Sequence, residues 1–366
     1  MTDLFGYKGF RENLREAGVK YAELSLSGGA RLLVTAHWGK AFGPFENDSD
    51  PGTLWVSDTA ADPASLRKTV AEGAWCIGGD RLWLAPEVQF NIPDRGVWDR
   101  PGGYVVPAPV DPGNYTLSAG DGCIKLEQTV EVELFNIATG TKNVSVQRRF
   151  CPARDPLSFC RAYGEIRGSI RYTGYSEESR VVDLSGGGAA VEAWNLIQVR
   201  PGGVVVLPLT GAAEYQDYYE PVDPGHLRIE RGAALHRLTG DRKYKTGWKS
   251  AGVTGRIGYY RVLDSGELRL IVRHFFNDPS AEYVDEPLAV KAEPSHEVRG
   301  DSVQFYNDDG SLGGFGEIEV HGRSLGPHRP LRSVVHYLGF WQYTGPVQSV
   351  RRAGDLLLGV PAWAWD

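Results

Sequence analysis

Short segments in which apolar and polar residues alternate follow one another along almost the whole chain, separated by glycine turns and hardly ever by a helical run. Residues 30–38 place Leu32, Val34 and Ala36 on one face and Leu33, Thr35 and His37 on the other. Residues 124–137 turn Val130, Val132 and Leu134 inward against Thr129, Glu131 and Glu133, and a turn at 138–140 leads to a hairpin mate at 143–150. Further strands are predicted at 180–199, 204–209, 255–262, 268–276, 301–306, 314–321 and 332–343. Turns such as Pro201-Gly-Gly203 and Asp264-Ser-Gly266 separate them. Helical spacing is confined to 7–17 and to 63–72, where Asp62 caps and Pro63 opens the first turn. Strands without intervening helices exclude a βαβ layout and predict an all-β fold of large stacked antiparallel sheets.

The turn-rich tracts 94–122 and 211–225 hold Trp98, Tyr104, Tyr115, Tyr215, Tyr218 and Tyr219, which is unlike a tether. They read as ordered loops walling a cleft, so 1–366 is expected to form a single domain with a short N-terminal helical segment. A net charge of -7 and a pI near 5.7 argue against a nucleic-acid partner, since that binding needs concentrated positive charge. Residues 1–21 carry Lys8, Arg11, Arg15 and Lys20 without an apolar core, so neither a signal peptide nor a membrane anchor is read there, and a cytoplasmic protein is expected. The four cysteines, Cys76, Cys123, Cys151 and Cys160, lack CxxC spacing and read as buried free thiols, a Cys151–Cys160 bridge being the alternative.

Two stretches carry candidate chemistry. In Trp75 to Glu87, the turn at Gly78 and Gly79 is expected to present Asp80 and Arg81 together, with Trp83 and Glu87 close behind. In Gly313 to Gly322, period two puts Phe315, Glu317, Glu319 and His321 on one face and Ile318 with Val320 on the core side. Two neighbouring carboxylates suit a general base or acid, and a solvated outer strand is the alternative. Just upstream, Asn307 and Asp308 either contact a ligand or fold their own turn. Trp194 and Gln198 share a strand face and, with Trp83, could form a sugar platform; Trp194 as a core residue is the competing reading. Among eight histidines, His274, beside Arg273 and ahead of Asn277 and Asp278, is the candidate general acid. HxH, HExxH, GxSxG and P-loop spacings are absent, so neither a metal site nor a cofactor is expected.

The order of the 30–38 strand, Gly78-Gly-Asp-Arg-Leu-Trp-Leu-Ala-Pro-Glu87, the hairpin 125–150, Glu192-Ala-Trp-Asn-Leu-Ile-Gln-Val199 and Gly314-Phe-Gly-Glu-Ile-Glu319 resembles the galactose mutarotase-like superfamily. It looks most like bacterial branches in which a GGDRxWxxPE-like segment and a late YND and FxExE segment recur. The resemblance implies a β-supersandwich with a concave carbohydrate-binding face. It also implies an aldose 1-epimerase-like reaction in which Glu319 or Glu317 takes the anomeric proton while Arg81 and an aspartate hold hydroxyls. The sequence departs from the epimerase pattern in lacking an NHxYxNL-like run. The partner so implied is a sugar or sugar derivative. Carbohydrate binding without turnover, and a lyase or glycoside hydrolase on the same fold, are the alternatives. Open sheet edges leave room for a homodimer.

Overall fold

A computed structural model describes residues 5–186, 188–211, 213–288, 300–326 and 331–361. Among these the chain forms two antiparallel sheets that face each other. The first runs β1 (Tyr21–Ser25), β2 (Arg31–Thr35), β3 (Ala41–Phe45), β4 (Asp80–Ala85), β9 (Glu192–Val199), β18 (Gly316–His321), β17 (Val303–Asn307), β14 (Tyr244–Trp248) and β11 (Tyr215–Asp217). The second runs β12 (Leu227–Glu230), β13 (Ala233–Leu238), β10 (Gly203–Pro208), β15 (Arg256–Val262), β16 (Leu268–Phe275), β19 (Ser333–Gly345), β8 (Arg171–Asp183), β7 (Gly140–Pro152), β6 (Cys123–Leu134) and β5 (Thr116–Gly120). The expected all-β fold of large stacked antiparallel sheets is what the chain adopts. His296 and His328 lie outside the described residues.

Alternation decides which side chains meet between the layers. Leu32, Val34, Leu82 and Leu84 of the first sheet pack against Leu126, Val146, Ile271 and Phe340 of the second. Leu33 points the other way, into a smaller core with Phe42, Phe10 and Leu14 of α1 (Tyr7–Glu16) and Leu66 of α2 (Pro63–Ala71). The Asp62 carboxylate accepts from the Ala64 and Ser65 amides at 2.9 Å, which starts α2 where its cap and proline predict.

The inter-sheet layer also contains a charged cluster. Asp80 of β4 meets Arg148 of β7 at 2.6 Å and Arg273 of β16 at 3.0 Å, and both guanidiniums also pair with Glu177 of β8. The Tyr175 hydroxyl donates to Asp80 at 2.7 Å. All four ionic side chains are buried, with two charges of each sign, so removing any one would leave an uncompensated charge in a dry layer.

Three local expectations are corrected. The segment 180–199 is not one strand: it ends β8 in the second sheet and begins β9 in the first, with a corner between them. A helix at Val347–Leu358 (α4; α3 is the single turn Glu87–Phe90) was not expected; it buries Val350, Ala353 and Leu357 on the outer face of the second sheet. Cys123 and Cys151 are not free thiols but a disulfide with Cα atoms 4.5 Å apart, because the β6–β7 register that pairs Ile124 with Phe150 sets them opposite each other. Cys76 and Cys160 are free. Among the described residues, no helix is long and apolar enough to cross a membrane.

Candidate functional site

The register of five adjacent strands builds one face. Arg81 pairs with Leu196, which pairs with Glu319, which pairs with Gln304; one step along, Gln198, Glu317, Tyr306 and Lys245 stand in a row. Because directly opposed residues of antiparallel strands share a side, these side chains all point away from the second sheet. Ile318 and Val320 point inward, as expected.

The turn that opens β4 fixes Arg81 on this face. Gly78 has φ +102, and a Cβ there would stand 2.1 Å from the Trp55 carbonyl oxygen, so the chain can enter β4 this closely only through glycine. Asp80 and Arg81 then point to opposite sides: Asp80 joins the inter-sheet ion cluster and Arg81 the outer face. Period two forbids presenting both together, which corrects the placement of Asp80 in a ligand site.

The outer face is the floor of a cavity of about 780 Å³. Arg81, Trp83, Trp194, Lys245, Tyr306 and Glu317 line it from the strands, Glu87 from the helical turn α3, and Trp98, Tyr104, Tyr219 and Leu288 from loops. The tracts expected to wall a cleft thus do so, and three of their aromatic side chains, Trp98, Tyr104 and Tyr219, line it. Arg81 donates from Nη2 to Glu317 Oε1 at 2.7 Å, and Gln198 Nε2 reaches the same oxygen at 2.9 Å. Arg81 Nε and Nη1 are buried without a hydrogen-bond partner. The guanidinium carbon sits 4.0 Å from the Trp83 ring centroid, so one face of that indole is already covered, and its Nε1 donates to Asp111 at 2.9 Å.

Glu319 is fully buried and is not on the cavity wall. Its Oε2 accepts from Trp194 Nε1 at 2.8 Å and lies 3.2 Å from Lys245 Nζ, while Oε1 has no partner. Lys245 also lies 3.7 Å from Glu87, whose backbone amide donates to Asp285 at 2.6 Å. Burial pushes the Glu319 carboxyl up to about 8; Lys245 pulls against this, and Glu317 and Glu87 add to it. Burial raises Glu87 and Asp285 as well. Burial also opposes the charge on Lys245, but Glu319, Glu87 and Asp285 outweigh it and hold the ammonium above the ordinary lysine range. The floor therefore carries more acids than cations and has proton-binding capacity near neutral pH.

Not every expected residue joins the site. Asn307 faces the other way and clamps a loop, accepting from the Gly240 amide at 3.0 Å and donating to the Arg242 carbonyl at 2.6 Å. Asp308 folds its own turn, accepting the Gly310, Leu312 and Gly314 amides at 3.0, 3.1 and 2.8 Å. His274 belongs to β16 of the second sheet and lies stacked on Trp341, ring centroids 5.0 Å apart, beside a separate cavity of about 340 Å³. A general acid for the Arg81 cavity cannot come from there. Lys245 was not anticipated, since its partners Glu87 and Glu319 are distant in sequence and no local motif marks it. Among the described residues, no group of three or more His, Cys, Asp or Glu could hold a metal ion.

Several solved structures align with the chain at low identity. The Slr1438 protein from Synechocystis sp. PCC 6803 aligns with a TM-score of 0.46 at 9% identity over 88% of this chain and 95% of its own. A galactose mutarotase-like protein from Lactobacillus casei ATCC 334 aligns with a TM-score of 0.44 at 8% identity over 89% and 99%. A 4-alpha-glucanotransferase from Thermococcus litoralis aligns with a TM-score of 0.35 at 10% identity over 88% of this chain and 39% of its own. No curated protein matches the sequence. A family model matches residues 46–332, which include β4, β9, β14, β17 and β18 of the floor, and the chain belongs to that family, the family of unknown function DUF6786.

Proposed function

We propose that the protein acts on a sugar bound in the Arg81 cavity, as an aldose 1-epimerase-like isomerase with Glu317 as the base. The observation that carries the reading is the Glu317 carboxylate on the cavity wall, held by Arg81 at 2.7 Å beside Arg81 N–H groups that have no partner. Hydroxyl-rich ligands supply acceptors for such donors, and aromatic walls take up the C–H faces of sugar rings. Glu317 would take the anomeric hydroxyl proton as the bond from the anomeric carbon to the ring oxygen breaks. Lys245 would stabilise the negative charge that develops on the ring oxygen; after the aldehyde so formed turns about its bond to the next carbon, the ring oxygen would add back to the opposite face of the carbonyl carbon, and Glu317 would return the proton to the carbonyl oxygen, which becomes the anomeric hydroxyl of the other anomer. Glu319, behind Lys245, acts as a positioning residue: it sets where that ammonium stands.

The test is anomer exchange followed by NMR or polarimetry on a panel of aldoses, with Glu317→Gln and Lys245→Met as comparisons. Catalysed exchange that falls by about 100-fold or more in Glu317→Gln supports the reading. Exchange at the uncatalysed rate with every sugar removes it. One observation favours a second reading, carbohydrate binding without turnover: Glu317 Oε1 is already engaged by both Arg81 and Gln198. Calorimetric sugar binding that survives Glu317→Gln, with no exchange in the unaltered protein, would select it.

A further inference from the structure

The cavity has two chemically different ends. At the inner end stand Arg81, Glu317 and Lys245 on strands. The outer end is made by loops: the Trp98 and Tyr219 rings are nearly parallel, 15° apart with centroids at 6.0 Å, and Lys243 Nζ lies 4.7 Å from the Tyr219 ring centroid. Exposed Asp99 and Arg100 flank them, and buried Leu288 packs with Val88 and Ile92 beneath Trp98. At the packing density of organic solids a hexose ring fills on the order of 200 Å³, so one ring at Glu317 occupies only a fraction of the cavity of about 780 Å³.

From this division we infer that the ligand is a reducing disaccharide or the reducing end of a longer chain. Its terminal ring sits at Glu317 and the preceding ring lies on the Trp98 and Tyr219 surface. The inference rests on the carbohydrate reading above and adds the length of the substrate. Half-buried aromatic rings offer a face to the C–H groups of a second ring, while Asp99, Arg100 and Lys243 stand within the same wall to meet its hydroxyls. The mixture of a flat aromatic surface with charged rim residues selects a second sugar over an apolar substituent at the same place on the terminal ring, which would leave the charged groups desolvated and unpaired.

Calorimetric titration tests it, with glucose, galactose, mannose and xylose beside cellobiose, maltose, lactose, mannobiose and xylobiose, and with 4-O-octylglucose, whose anomeric hydroxyl is free, as the apolar-substituent probe. For the sugar that binds, the matching disaccharide should bind about tenfold or more tightly than the monosaccharide. Trp98→Ala should abolish that difference; Trp98→Phe should restore part of it and control for folding. Equal affinity for one ring and two overturns the inference while leaving the carbohydrate reading intact. A gain from 4-O-octylglucose that equals the disaccharide gain and is unmoved by Lys243→Ala also overturns it. If no sugar of either length binds, both readings fall.

Discussion

Asp80 and Arg81 are neighbours in sequence, yet their side chains belong to two separate ion networks on opposite faces of one sheet, Asp80 with Arg148 and Arg273 and Arg81 with Glu317. Substitutions at these adjacent positions should therefore have different effects, one on the fold and one on the cavity.

Asp80→Asn removes the shared partner of two buried guanidiniums and should cost about 3–5 kcal/mol of stability. Urea denaturation followed by tryptophan fluorescence measures this. A loss below about 1 kcal/mol would mean that the cluster does not depend on the Asp80 charge.

Arg81→Met leaves the inter-sheet layer untouched and removes the unpartnered N–H groups beside Glu317. Sugar affinity should fall by about 1.5–3 kcal/mol in calorimetry, the range for hydrogen bonds to a charged group. The urea midpoint should move much less than in Asp80→Asn. The reverse pattern would assign Arg81 to the fold.

The Glu319 carboxyl gives stability a pH dependence of definite sign. Its pKa is raised by folding, so the folded chain holds the proton more tightly than the unfolded chain does. That contribution is complete below the ordinary glutamate value and is lost as pH rises from there through about 8. The urea midpoint should fall between pH 6 and pH 9, and Glu319→Gln should flatten the fall. Parallel curves for the two proteins would count against Glu319 as the group responsible.

Gly78→Ala places a methyl group 2.1 Å from the Trp55 carbonyl at φ +102. Gly73 has φ +65 and nothing within 4 Å of the same position, so Gly73→Ala carries only the backbone cost, on the order of 1 kcal/mol. Thermal melts of the two variants should differ, with Gly78→Ala the lower by several degrees. Equal melts would show that the approach of the chain to Trp55 is not tight.

Much of the fold was legible because alternation is a local signal. The β6–β7 hairpin, the inward set Val130, Val132 and Leu134, and the shared face of Glu317 and Glu319 all follow from period two. The hairpin register also contains the disulfide: a turn at 138–140 that pairs 124 with 150 pairs 123 with 151, a step that composition-based reasoning about free thiols passed over. The C-terminal helix was missed, although the spacing of Val347, Val350, Ala353 and Leu357 is helical. What could not be read locally is which sheet a strand joins. His274 and Glu319 both lie on alternating strands, and only long-range pairing separates them into different layers. Lys245 was hidden for the same reason: a single lysine in a five-residue strand gains its meaning from residues 87 and 319.

The cavity takes its base from hydrogen-bonded strands and its rim from connections between them. Strand positions are locked by pairing on both sides, whereas connecting segments accept substitution and changes of length at small cost. Substitutions and changes of length in 91–115 and 218–222 can thus reshape the mouth of the cavity while the strand-borne Arg81, Glu317 and Lys245 keep their places.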